Sequence, residues 1–425
     1  MPRRTGRGGK GPFMDKTLRQ DAGAIIAAAL SAAMPDEAVR RALKDLPPCR
    51  GKLVLIAVGK AAWQMASAAL EALDGRVDGG AVITKYGHAR GALPPLQVYE
   101  AGHPVPDENS FAATQAAIDL VAPLGADDLV LFLLSGGGSA LFERPLIDGG
   151  ALASVTKQLL ACGADIVEMN TVRKRLSAVK GGRFAQLCAP AHVFSVVLSD
   201  VIGDPLDMIA SGPACPDGST AQQALRVAEK YGLDLPPDAL ALLGRETPKA
   251  LPNAETHVTG SVRQLCAAAE ASCRALGYRP LVLTDRLSCE AREAGRFLAA
   301  VAAYHQGARG SLAFIAGGET VVHLKGTGLG GRNQELALAA AQGIAGMAGT
   351  ALFSLGSDGT DGPTDAAGGY VDGETCAALA AAGVDAAAAL DDNDAYHALA
   401  AVDGLLMTGP TGTNVNDLTV LLIRR

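Results

Sequence analysis

No apolar run in the 425-residue chain approaches the roughly 18 residues needed to span a membrane. The alanine-rich stretch Ala22–Ala33 is interrupted and amphipathic, and reads as a packed helix. None of the eight cysteines (49, 162, 188, 215, 266, 273, 289, 376) stands in a C-x-x-C pair, which excludes the common zinc and redox spacings. They read as reduced thiols in a cytoplasmic protein. An excess of positive charge is also missing. The net charge is −7, which argues against nucleic acid as a partner, because the phosphate backbone is met by basic surfaces. There is no G-x-x-x-x-G-K-[ST] sequence, no G-x-S-x-G elbow and no H-x-x-x-H pair, so a P-loop enzyme and a serine hydrolase lack support. The tail Met1–Pro12 is basic (Arg3, Arg4, Arg7, Lys10) but has no apolar segment, and reads as a frayed terminus rather than a secretory signal.

What is present is ordinary globular material, 49% hydrophobic and 19% charged, in a chain long enough for two domains. Short β-branched runs alternate with longer helical patterns, the mark of βαβ units and a mainly parallel sheet. Expected strands are Leu53–Val58, Gly80–Thr84, Gln97–Glu100, Leu129–Leu134 and Val193–Leu198. A second series holds Glu255–Thr259, Arg279–Thr284, Leu312–Ala316, Thr320–Leu324, Ala351–Leu355 and Thr419–Ile423. The first helix is expected at Asp15–Ala33 and a basic one at Val172–Leu187. Gly317-Gly318 is read as a hairpin turn, and Leu233–Ala254 as the crossing between domains spanning 13–250 and 251–425.

Chemistry is expected where strands run into glycine. Leu129–Leu134 leads to Ser135-Gly136-Gly137-Gly138-Ser139, and Val193–Leu198 to Ser199-Asp200. Leu312–Ala316 leads to Gly317-Gly318-Glu319, and Ala351–Leu355 to Gly356-Ser357-Asp358-Gly359-Thr360-Asp361. Ligands of open parallel sheets bind beyond the carboxyl ends of strands, where glycine lets backbone N–H groups approach an anion. Four such loops point to an anionic ligand, although each could serve as a tight turn. Lys60, between Leu53–Val58 and a helix, supplies a point charge for phosphate or carboxylate. Arg173, Lys180 and Arg183 could share one helical face towards an anion or towards water. Gly326-Thr327-Gly328-Leu329-Gly330-Gly331 fits G-x-G-x-x-G and leaves two readings open. One is a phosphate loop through Gly328 and Gly330, with Arg332 and Asn333 following; the other is the dinucleotide site of an NAD(P)H-dependent reductase. Asp358 and Asp361 suit Mg²⁺ beside phosphate, or plain turns. His103, in Gly102-His103-Pro104-Val105-Pro106, fits a cleft-lining residue and, better, a structural loop histidine.

Together these stretches resemble the bacterial-type glycerate 2-kinase family, whose C-terminal part is the "multi-organism fragment rich in leucine" domain. The resemblance rests on Ala57–Ala62, Ala101–Pro106, Leu134–Ala140, Arg173–Gly182, Leu198–Asp204, Ser211-Gly212-Pro213, Ala316–Thr320, Gly326–Glu335, Gly356–Asp365 and Thr413–Asp417. It implies a Rossmann-like, mainly parallel N-terminal domain and a smaller α/β C-terminal domain, with the active site in the cleft between them. It also implies ATP and Mg²⁺ as cofactors and D-glycerate phosphorylated at its 2-hydroxyl. Lys60 and Arg332 are then the essential residues, and Asp200 orients or deprotonates the hydroxyl. Ser135–Ser139, Arg173, Lys180, Glu319, Gly328, Gly330 and Asn333 hold phosphate or substrate, and Asp358 and Asp361 meet the metal. Family members have also been labelled hydroxypyruvate reductases, which is the rival reading; a non-catalytic anion-binding protein is a third. Small molecules are the expected partners, with no membrane and a monomeric or homodimeric chain.

Overall fold

Every residue of Leu53–Val58 is buried, as expected of a strand covered on both faces. The computed structural model describes residues 16–425, so the tail Met1–Pro12 lies outside the described residues. The chain divides into two compact units, one of Pro35–Ser261 and the other combining the residues up to Met34 with Val262–Arg425.

In the first unit, strands β1 (Leu53–Val58), β2 (Gly79–Lys85), β3 (Leu96–Ala101), β4 (Leu129–Leu134), β5 (His192–Leu198) and β6 (Ala254–Gly260) form one sheet. Their order is β3-β2-β1-β4-β5-β6, and every neighbouring pair is parallel. This is the doubly wound order, with its topological switch point between β1 and β4. Alternate residues of β1 serve opposite layers. Val54, Ile56 and Val58 pack with the helices Glu108–Val121 and Arg183–Cys188. Leu53, Leu55 and Ala57 pack with Pro35–Ala42 and Ala62–Leu73.

In the second unit, β7 (Arg279–Leu287), β8 (Leu312–Gly318), β9 (Thr350–Gly356), β10 (Gly368–Asp372), β11 (Leu405–Leu406) and β12 (Asp417–Ile423) stand in the order β11-β10-β9-β12-β8-β7. Only β7 and β8 run parallel; the other pairs are antiparallel. Helices Lys16–Ala32 and Val262–Ala275 cover one face, and Ala291–Tyr304 and Arg332–Ile344 the other. No single described helix is long and apolar enough to cross a membrane.

Four expectations change. The first helix belongs to the second unit, where Leu18, Ala22, Ile25 and Ala29 fill the core under Phe353 and Val420. Asp21, buried there, accepts bonds from Tyr278 (2.5 Å) and Arg424. The strand expected at Glu255–Thr259 belongs to the first unit as β6, because the preceding segment is not an interdomain crossing. It folds into the helix Pro237–Leu243, whose Ala239 and Leu243 pack on Val227 and Ala228. No hairpin forms at Gly317-Gly318. Gly318 is the end of β8, so close to β7 that a Cβ would lie 2.2 Å from the Leu287 carbonyl oxygen, and the expected strand Thr320–Leu324 is irregular beyond one bridge from Val321 to Glu290. The basic helix is broken. Helix Ile166–Arg173 passes into a 3₁₀ turn at Lys174–Leu176, Ser177 is extended, and Gly181 and Gly182 take positive φ before Arg183–Cys188.

Basic side chains of the broken segment turn inward onto Asp217. Its carboxylate accepts Lys174 Nζ at 3.0 Å, Thr247 Oγ1 at 2.6 Å and the Ser219 amide at 3.0 Å. Burial pushes its pKa up, but these bonds outweigh burial and hold it at about 2. A carboxyl group depressed from 3.8 contributes stability that is full above that value and is lost as the pH falls through about 2. Chemical denaturation of wild type and Asp217→Asn should therefore give a stability gap that narrows by about 2 kcal/mol between about pH 5 and pH 2. A gap independent of pH would show that Asp217 is not held ionised by these partners.

Candidate functional site

In the first unit the switch point is closed at its base by a seam of hydrogen bonds. Ser135 N donates to Val58 O (2.9 Å) and Lys60 N to Gly136 O (2.9 Å). Ser135 Oγ accepts from Ala61 N (3.1 Å) and donates to Val58 O (3.3 Å). Gly59 has φ 120°, and a Cβ there would lie 2.2 Å from Ser135 Oγ, so this approach requires glycine. Ser135 is thus spent on the seam rather than on a ligand.

Above the seam, the amides of Gly136 and Gly137 have no acceptor among the described residues. A Cβ on Gly136 would stand 2.6 Å from Asp200 Oδ2, and one on Gly137 would touch His103 Nε2 (3.2 Å) and Lys60 Cγ (3.3 Å). Lys60, Asp200, His103 and the glycine loop therefore meet at one place, with Lys60 itself exposed. Gly138 is packed against Ala210 and serves closeness, not contact with solvent. Ser139 Oγ lies 3.4 Å from Ser211 Oγ, which donates to Asn170 Oδ1 at 2.8 Å. Arg173 donates from Nη2 to Ser139 O (3.2 Å), while its buried Nε has no hydrogen-bond partner. Burial lowers its pKa, with Glu143 pulling the other way.

Lys180 does not face a ligand. It is fully buried, with Nζ 2.8 Å from Glu143 Oε2 and 2.9 Å from Phe142 O. Burial drives its pKa down and Glu143 restores part of it. Arg183 likewise turns inward to the carbonyls of Lys174, Arg175 and Ser177. The shared cationic face expected for this segment is absent because no helix spans it. His103, whose sequence context favours the structural loop reading, stands instead beside the glycine loop. Its pKa is lowered by burial and then by Lys60, which leaves a neutral ring beside the lysine at neutral pH.

In the second unit, Arg332 opens the helix Arg332–Ile344 and is gripped side-on by Asp417. Nε lies 2.5 Å from Oδ2 and Nη2 2.9 Å from Oδ1. Nη1 is 3.4 Å from Glu319 Oε1. These carboxylates, Asp417 foremost, raise the arginine's pKa and keep it charged. Asn333 is not free for substrate, since Nδ2 donates to Asp361 Oδ1 and Oδ1 accepts from Ser354 Oγ (2.6 Å).

The glycine loop before Arg332 has used most of its donors. The amides of Lys325 and Gly326 donate to Asn393 Oδ1, Thr327 to Asp392 Oδ1, Gly328 to Asp392 O and Leu329 to Asp394 Oδ1. A Cβ on Gly328 would sit 2.4 Å from Asp394 Cβ, and Gly330 packs on Ala395. Gly328 and Gly330 therefore pack closely on the neighbouring segment, and of this loop the Gly330 and Gly331 amides have no acceptor among the described residues.

A nucleotide-borne Mg²⁺ needs only one or two carboxylates. Among the described residues no group of three or more His, Cys, Asp or Glu side chains gathers as for a metal. Asp361 does not fit the role. It is buried, its Oδ1 takes Asn333 N and its Oδ2 takes Gln334 N (2.9 Å), and burial pushes its pKa up to about 6. Asp358 fits better, half-buried with Oδ1 on the Thr360 amide.

Residues 21–244 match the family described as Domain of unknown function (DUF4147), and residues 312–417 match the MOFRL family. A D-glycerate 2-kinase of Thermotoga maritima is 50% identical over 418 residues, 97% of this chain and all of that one. A protein of Agrobacterium vitis named putative hydroxypyruvate reductase is 42% identical over 429 residues, 96% of this chain and 95% of its own. The crystal structure of the T. maritima glycerate kinase, also 50% identical, superposes with a TM-score of 0.92 over 96% of this chain and 100% of that one.

Removing one member of a buried ion pair strands the other. Lys180→Ala should therefore lower unfolding stability in urea by about 3–5 kcal/mol, whereas Lys180→Ala with Glu143→Ala should recover part of that loss. A neutral Lys180→Ala would overturn the structural assignment and return Lys180 to the ligand.

Proposed function

The chain belongs to the glycerate 2-kinase family, and from that premise we propose how its residues carry an ATP-dependent phosphorylation of D-glycerate to 2-phosphoglycerate. The observation that carries the reading is the meeting of Lys60, Asp200 and the unspent amides of Gly136 and Gly137 at the switch point of a parallel sheet, with Arg173 bonded to Ser139 O in the turn that follows. Donors and cations collected there suit an oxyanion, and the bonding of the Lys325–Leu329 amides to Asp392, Asn393 and Asp394 weakens the dinucleotide reading of the Gly326–Gly331 loop.

Phosphoryl transfer asks a protein mainly for positioning and for neutralisation of charge on the moving group. In our reading Lys60 and Arg332 act on that charge. Gly136 and Gly137 donate amides, and Arg173 adds its cation to a phosphate or carboxylate. Asp200, beside Gly136, accepts a hydrogen bond from the 2-hydroxyl and orients it or takes its proton. In our reading Glu319, at the Nη1 end of Arg332, yields that edge to the entering anion. Mg²⁺ accompanying ATP would offset phosphate charge, with Asp358 as the carboxylate placed to meet it. All eight cysteines are free thiols, which supports a reducing, cytoplasmic setting.

Purified protein should release ADP in the presence of D-glycerate and ATP, and should leave NADH untouched when given hydroxypyruvate. Lys60→Ala and Arg332→Ala should each lower kcat by on the order of 10²-fold or more. Turnover of NADH without ADP formation would replace the kinase reading with the reductase, and near-normal rates in both variants would displace the site.

A further inference from the structure

We propose that Asp417 is the positioning residue for Arg332, fixing the plane of the guanidinium so that its Nη1–Nη2 edge is the part offered to a phosphoryl oxyanion. The inference deepens the kinase reading and rests on it.

A guanidinium carries five N–H donors in a rigid planar fork. The side-on contact with Asp417 uses Nε–H and one hydrogen of Nη2, at 2.5 and 2.9 Å. Three donors remain, and two of them point together along the Nη1–Nη2 edge, the geometry that binds an oxyanion bidentately. The two carboxylates near Arg332 differ in what can displace them. Asp417 is buried at 4% exposure at the start of β12. Glu319 is the reverse, its side chain 48% exposed and 3.4 Å from Nη1, so an entering anion can take its place by pushing it into water. The backbone clears room for this. The register partners of Asp417 on β8 and β9 are Gly318 and Gly356, so neither neighbouring strand puts a side chain beside the carboxylate.

A pair of this kind could simply pin the helix Arg332–Ile344 to the sheet. That task is already done by Asp361, which takes the amides of Asn333 and Gln334 together with Asn333 Nδ2. Nor can Asp417 serve by its charge, because a second anion beside a phosphate-binding arginine weakens the attraction. What it adds is orientation, and orientation is realised most where the reacting group must be met at a fixed angle.

The test uses Asp417→Asn, which keeps the shape and one acceptor oxygen, in the full chain with D-glycerate and ATP. The expected result is a fall in kcat of about 10- to 100-fold, with KM for both substrates within about threefold. In an Arg332→Lys background, which retains charge without the fork, adding Asp417→Asn should cost less than about twofold. An unchanged kcat, or a full multiplicative loss in that background, overturns the assignment. If Asp417→Asn alone does not fold, Arg332→Ala with Asp417→Ala leaves no lone buried charge and should match the kcat of Arg332→Ala. A further tenfold loss there would count against it. Failure of the unsubstituted chain to form ADP overturns the kinase reading itself, whereas an active chain with additive losses overturns only the role of Asp417.

Discussion

The approach of Gly59 to Ser135 is the constraint on which the first unit's site depends. With no side chain at position 59, the ends of β1 and β4 close to hydrogen-bonding distance, and the Ser135 hydroxyl bridges Val58 and Ala61. A parallel doubly wound sheet diverges at its switch point, because the crossovers on either side leave in opposite directions. The seam holds the floor of that divergence shut and leaves its upper part open. Lys60 rides on the next bond, its amide on Gly136 O, so the cation and the glycine amides are carried by one rigid element. A looser floor would let Lys60 and Gly137 drift apart, and errors near 1 Å already matter for positioning a reacting group.

Acidic residues in the second unit show the complementary economy. A buried backbone N–H without an acceptor costs free energy comparable to a lost hydrogen bond. Asp361 takes the Asn333 and Gln334 amides of the helix Arg332–Ile344, and Asp392, Asn393 and Asp394 take those of Lys325–Leu329 before it. The chain thus satisfies most of its own donors there with carboxylates and a side-chain amide. What remains for a ligand is the outer edge of Arg332 together with the Gly330 and Gly331 amides before it.

Sequence patterning exposed the strands well, because an all-apolar run such as Leu129–Leu134 has few other uses. It also located Lys60, Gly136, Asp200 and Arg332 where strands or glycine loops meet helices. Ownership was harder. The spacing of Leu18, Ala22, Ile25 and Ala29 describes an apolar face but not which sheet it covers, and β6 is a half-exposed edge whose pattern resembles that of any strand. The short strands β10 and β11, at Gly368–Asp372 and Leu405–Leu406, escaped because glycine opens one and the other has two residues. Site residues were misjudged where one residue type serves two ends. Gly328 and Gly136 look alike in sequence, yet one amide is bonded to Asp392 and the other is open. Lys180 and Lys60 are both lysines near glycine, and only burial against Glu143 separates them. Asp417 and His103 lay within the resembling stretches, but nothing in their spacing pointed to Arg332 or to Lys60.

Charge accounting gives the two sites different characters. Around the glycine loop of the first unit, Glu143 and Asp200 stand against Lys180 and Arg173, an even balance to which Lys60 adds one cation. An anion entering there is attracted at once. Around Arg332 the balance is reversed, with Asp417 and Glu319 against one guanidinium. An anion reaching that edge gains little until Glu319 withdraws or the anion brings its own counter-charge, as a nucleotide polyphosphate does. Because Asp417 is buried and Glu319 is not, the withdrawal has one direction. Arg332 therefore suits charge that appears in the course of a transfer, while the first unit's loop suits charge already present on a bound ligand.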